Sequence, residues 1–142
     1  MLTSARNHFS GTVAQTTAGA VNDEIIIRTA AGQEIVATVT RESADRLGLK
    51  PGVAVAALVK ASSVIVMVDV DAGKVSARNV ISGKVSALTK GAVNTDVTIT
   101  GGNGLEVAAI ITNTSAERLG LAPGKPAAAM FKASSVIVGL DG

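Results

Sequence analysis

Shifting the chain by 72 positions aligns residues 4–70 with 76–142 without a gap, and about half of the aligned pairs are identical. Self-similarity of this kind marks a tandem duplication, so the chain must build one small unit twice. Ser4-Ala5-Arg6-Asn7 returns as Ser76-Ala77-Arg78-Asn79, and Gly19-Ala20-Val21-Asn22 as Gly91-Ala92-Val93-Asn94. Arg46-Leu47-Gly48-Leu49 returns as Arg118 to Leu121, Pro51-Gly52 as Pro123-Gly124, and Lys60-Ala61-Ser62-Ser63-Val64-Ile65-Val66 as Lys132 to Val138. The repeats are read as 1–70 and 76–142, joined by residues 71–75, a link too short to let the halves tumble freely.

Within one repeat the pattern is mostly strand. His8 to Thr16 and Val21 to Thr29 are rich in β-branched residues and flank a turn signal at Ala18-Gly19-Ala20. Ala30-Ala31-Gly32-Gln33, and Gly101-Gly102-Asn103-Gly104 in the second copy, predict a hairpin turn into Glu34–Thr40. The period then changes. Thr40 can cap a short helix over Arg41 to Leu47, with Gly48 placed to end it. Val53–Val59 and Val64–Val68 complete five strands. One helix between the third and fourth strands predicts an all-β chain of two tandem OB-like five-stranded Greek-key barrels, each with one short helix.

Composition narrows the function classes. Hydrophobic residues make up 47% and charged ones 17%, so two small domains have little polar surface to cover them, and an oligomer is expected. The formal charge of +2 gives no strong reason to invoke nucleic acid or an acidic membrane. With no cysteine, disulfides and thiolate metal sites are excluded. No signal peptide and no apolar run long enough for a membrane helix are visible, so a cytoplasmic protein is expected.

The recurring polar words share one chemistry. Within Lys60–Val66 every polar side chain can donate a hydrogen bond, and no carboxylate competes for the lysine, which suits an anion offering only acceptor oxygens. As a lone word this would be the polar corner between two strands. It stays intact in both halves, however, while Leu58 and Val59 drift to Met130 and Phe131. Ser4 and Arg6, with Ser76 and Arg78, add a hydroxyl and a guanidinium that can grip two oxygens. Thr40 and Thr112 stand where the third strand meets the helix, where free N–H groups also favour anions. Gly19, Ala20, Val21 and Asn22, with Gly91, Ala92, Val93 and Asn94, form a turn whose amides could make a second anion nest. His8 is the only histidine and its counterpart is Val80. No acid–base pair or nucleophile–base pair can therefore be built in both halves, and no bare-cation site is expected.

The words SARN, GAVN, RLGL and KASSVIV, in order and at matching spacing across both repeats, resemble the Mop family, or molbindins. The tandem arrangement is similar to its di-Mop members. The resemblance implies cytoplasmic molybdate or tungstate binding and storage, without catalysis, cofactor, nucleic acid or membrane. It also implies a homo-oligomer, a trimer, with sites between subunits. By motif the binding residues are Ser4, Arg6, Thr40, Lys60, Ala61 and Ser62, and in the second half Ser76, Arg78, Thr112, Lys132, Ala133 and Ser134. A second site class at GAVN is implied as well. The helix word departs from RESADRLGL to NTSAERLGL, which allows the halves unequal affinities. The alternative is an OB-type single-stranded nucleic-acid-binding module. Such modules stack bases on aromatics, and Phe9 and Phe131 are the only aromatic residues here. An enzyme acting on a phosphorylated or pterin substrate would need the acid–base residues that are missing.

Overall fold

The computed structural model describes residues 1–69 and 71–141. Its strands are β1 (Asn7–Ala18), β2 (Asn22–Thr29), β3 (Glu34–Thr40), β4 (Ala54–Val59), β5 (Ile65–Met67), β6 (Asn79–Lys90), β7 (Asn94–Gly101), β8 (Glu106–Thr112), β9 (Pro126–Phe131) and β10 (Ile137–Leu140). Helix α1 (Arg41–Leu47) follows β3, and α2 (Asn113–Arg118) follows β8. These are two OB-like five-stranded sheets, and each repeat carries its helix between its own third and fourth strands, as the repeat pattern predicts.

The first strand of each sheet is long because it serves two neighbours. Residues Asn7 to Thr12 of β1 pair with β4, while Gly11 to Ala18 pair with β2, past a bulge between Val13 and Gln15. Gly11 sits where the two ladders overlap, and a Cβ there would run into the carbonyl of Arg28. A strand that bends this sharply needs a bulge and a residue without a side chain. β6 repeats the device with Gly83, whose added Cβ would meet the carbonyl of Thr100, and a bulge between Val85 and Ala87.

The connectivity departs from one barrel per repeat. The first sheet runs β10-β4-β1-β2-β3 and the second β5-β9-β6-β7-β8. The compact units are therefore Met1–Val59 with the segment from Lys132 onward (unit 1), and Lys60–Phe131 (unit 2). Each repeat lends its last strand to the other. Two physical reasons stand in the sequence. Lys60–Ser63 contains no Gly, Asn or Asp of the kind a tight two-residue hairpin between β4 and β5 needs; its turn-forming residues are the two serines. The lent segments are also identical over seven residues, so either fits either sheet. Residues 71–75, read as a linker, lie within unit 2. There Asp71 accepts from the Gly73 N–H (2.9 Å) at the start of a 3₁₀ turn, Ala72–Lys74.

Burial follows the period-two pattern of the strands. Val13, Ile25, Ile27, Ile35 and Val55 are fully buried in unit 1, as are Val85, Val97, Ile99 and Val107 in unit 2. Each such side chain contributes roughly 1.5–3 kcal/mol relative to exposure. Phe9 and Val59 in unit 1 correspond to Ile81 and Phe131 in unit 2, all four buried. The single aromatic ring changes strand, and the summed volume differs by only one methylene. Asn7 and Asn79 are also buried, and among the described residues no buried side-chain nitrogen or oxygen lacks a partner.

Candidate functional site

The repeated heptapeptide forms a single 3₁₀ turn that sorts its residues by alternate burial. Ser63 N–H donates to the Lys60 carbonyl (2.9 Å), and Val64 N–H to that of Ala61 (3.3 Å). Ala61 and Val64 are buried, which leaves Lys60 and Ser62 facing outward. The second copy repeats the geometry, with Ser135 N–H on Lys132 (2.9 Å) and Val136 N–H on Ala133 (3.3 Å). Lys132 and Ser134 are exposed there, and Ala133 is half-buried. Neither lysine has a carboxylate partner among the described residues.

Strand exchange decides what these turns meet. In unit 2 the turn at Ala61–Ser63 packs against β8, and Ser62 and Thr112 line one groove of about 450 Å³. In unit 1 the turn at Ala133–Ser135 packs against β3, the strand that ends at Thr40. The sequence groups Thr40 with Lys60 and Thr112 with Lys132 by repeat. The fold puts Thr112 in one unit with Lys60, and Thr40 in one unit with Lys132.

Both threonines cap their helices. Thr40 Oγ1 accepts from Ser43 N–H (3.1 Å) and donates to Ser43 Oγ (2.9 Å); Thr112 does the same with Ser115 at equal distances. Ser4 and Arg6 are exposed just before β1, and Ser76 and Arg78 just before β6. None of these four lines the groove. The Asn that closes each word is a structural residue: Asn7 pairs in register with Val59, and Asn79 with Phe131.

Three polar residues of the groove escaped the sequence reading: Asn94 as part of this cavity, Ser115, and Arg118. Among the described residues no carboxylate lines it; the remaining wall is Val64, Ile65, Val66, Ile110, Ile111 and Leu119. A signal was available. Thr40, Ser43 and Arg46, spaced by three, recur as Thr112, Ser115 and Arg118, while Arg41, Glu42 and Asp45 between them all change.

The GAVN turns are held from the helix side. Arg41 N–H donates to the Val21 carbonyl and Asn113 N–H to that of Val93, both at 2.9 Å. The Gly19 N–H donates to Asp23 (3.3 Å) and the Gly91 N–H to the Asn94 carbonyl (2.8 Å). An anion at either turn would have to be held without its glycine amide. Ala20, Val21 and Asn22, like Ala92, Val93 and Asn94, are exposed. Among the described residues there is no group of three His, Asp or Glu side chains able to hold a metal ion.

The TOBE domain matches residues 3–66 and again 75–138. The molybdenum-pterin-binding protein MopA of Rhodobacter capsulatus is 47% identical over 140 residues, 99% of this chain and 53% of the relative. The molybdenum transport protein ModE of Azotobacter vinelandii is 44% identical over 142 residues, all of this chain and 52% of the relative. The chain thus spans about half the length of these two curated relatives. The crystal structure of the cytoplasmic molybdate-binding protein ModG, with molybdate bound, superposes at a TM-score of 0.94. It is 43% identical, and the match covers 99% of this chain and 100% of that one. With both copies matched and nearly the whole length aligned, the chain belongs to the TOBE-domain family, as a tandem pair of domains.

Proposed function

We propose that this chain binds molybdate or tungstate as intact oxyanions, in the cytoplasm, for storage and homeostasis, with no catalytic step and no cofactor. The observation that carries the reading is the groove of unit 2, whose polar lining is donor-capable and free of carboxylate. The full-length likeness to ModG supports the choice of oxyanion.

In this reading Lys60, Ala61 and Ser62 act with Thr112, and Lys132, Ala133 and Ser134 act with Thr40. Ser4 with Arg6, and Ser76 with Arg78, come from a neighbouring chain. A dianion withdrawn from water needs two compensating positive charges and donors for its remaining oxygens; one Lys, one Arg and the hydroxyls provide them. A homo-oligomer is proposed because exposed apolar side chains recur at equivalent positions of both halves, and a trimer is what the resemblance to the Mop family implies. Val21 and Val93 are 73% and 70% exposed, and Ile65 and Ile137 are 52% and 62% exposed. The turns at GAVN, residues 19–22 and 91–94, are the second proposed oxyanion class. A nucleic-acid role is disfavoured because Phe9 and Phe131 are both buried, leaving no ring to stack a base on.

Native mass spectrometry tests this directly. The expected result is an oligomer that gains whole molybdate masses and ignores a single-stranded oligonucleotide. An oligomer or monomer that binds the oligonucleotide and no molybdate would overturn it.

A further inference from the structure

We infer that Arg118, and Arg46 as its counterpart in unit 1, is an oxyanion-binding residue that the recurring words do not include. Among the described residues lining the unit 2 groove, Arg118 is the one cation, and Lys60 is not among them. It shares that groove with Ser62, Thr112, Ser115 and Asn94. It makes no hydrogen bond or ion pair to another described residue, whereas the adjacent Glu117 pairs with Lys90 (3.3 Å). Its guanidinium therefore remains available to a ligand.

The helix explains how it gets there. Thr112, Ser115 and Arg118 are spaced by three, so their side chains rise along one side of α2 beside the groove. Residue 112 caps the helix, residue 115 is bonded to that cap, and residue 118 stands in the last turn. The comparison between halves separates this from the ordinary use of a basic residue to complement the C-terminal end of a helix. Of the four solvent-facing positions of α1, namely Arg41, Glu42, Asp45 and Arg46, only Arg46 keeps its identity in α2. A dipole complement would be served equally by lysine. Two parallel N–H bonds to neighbouring oxygens of a tetrahedral anion are served only by the guanidinium. Arg118 is itself exposed, so the aliphatic wall of the groove shields that contact from water on one side only.

This rests on the oxyanion reading, and the experiment separates the two. Calorimetric titration of the full chain with sodium molybdate is run on wild type, Arg118→Gln, Arg46→Gln, the double Gln variant and Arg118→Lys, each with its unliganded melting temperature. Expected is a loss of about tenfold in affinity for half of the Lys–Ser–Thr sites in each single Gln variant, and for all of those sites in the double variant, with any binding at the GAVN turns unchanged. Arg118→Lys should regain the melting temperature of wild type but only part of the affinity. Unchanged molybdate affinity in the double variant, with or without a lowered melting temperature, overturns the role of the arginines. Full recovery of affinity by Arg118→Lys overturns the two-bond geometry. A wild-type chain that takes up no molybdate overturns the oxyanion reading itself.

Discussion

Asn113 donates its side-chain amide to the carbonyl oxygen of Gly91 at 3.0 Å. Arg41, its counterpart in the first repeat, makes the same bond to Gly19 through Nη1, also at 3.0 Å. The two halves thus tie the helix to the first turn with different side chains, and the substitution that distinguishes the helix words leaves that tie intact. The difference lies behind it. Asn113 also accepts from Thr95 Oγ1 at 2.6 Å, and Thr95 is only 2% exposed.

Removing the two side chains should therefore have unequal costs. Asn113→Ala strands a buried hydroxyl and should cost about 1–3 kcal/mol, while Arg41→Ala removes one exposed bond and should cost about 1 kcal/mol or less. Urea unfolding of both variants measures this. A larger loss for Arg41→Ala would contradict the assignment.

Thr112→Ala should act twice. Loss of the cap costs about 0.5–2 kcal/mol, and loss of the hydroxyl in the groove weakens molybdate binding as well. Thr112→Ser keeps both functions and should resemble wild type in unfolding and in titration. If the Ser variant binds as weakly as the Ala variant, the hydroxyl is not the contact.

The bent strands predict a sharp contrast among glycines. Gly11→Ala or Gly83→Ala forces a Cβ into a backbone carbonyl across the ladder and should cost about 1–3 kcal/mol or more. Gly102→Ala meets nothing and should be close to neutral. Equal melting temperatures for Gly83→Ala and Gly102→Ala would show that β6 does not run as described.

Strand exchange is testable because the chain has no cysteine of its own. Leu58 and Ile137 are register partners on β4 and β10, about 4.5–5.5 Å apart at Cα, within reach of a disulfide. The Leu58→Cys/Ile137→Cys chain should oxidise readily, whereas Leu58→Cys/Ile65→Cys should stay reduced. The reverse outcome would mean that β4 turns back on β5 within its own repeat.

What could be read from the residues was local, and what could not was partner choice. The strands, the capped helix and the αL glycine at Gly48 follow from β-branched runs, Thr40 and the RLGL word, because each signal acts within a few residues of itself. Exchange of β5 and β10 was not legible as a pairing, since two identical heptapeptides carry no information about which sheet each joins. Its one trace was the lack of a Gly, Asn or Asp tight-hairpin signal in Lys60–Ser63. The site was affected in the same way: Thr112 and Ser62 lie in different repeats, and only the fold brings them to one groove. Arg118 was passed over because a basic residue in the last turn of a helix has an ordinary explanation.

The most direct test of the account is the position of molybdenum itself. Crystals grown with molybdate, measured for anomalous scattering at the molybdenum edge, should show a peak within hydrogen-bonding reach of Ser62 and Thr112 in unit 2. A second should lie beside Ser134 and Thr40 in unit 1. Molybdenum absent from both places, or lodged only elsewhere on the chain, would contradict the account.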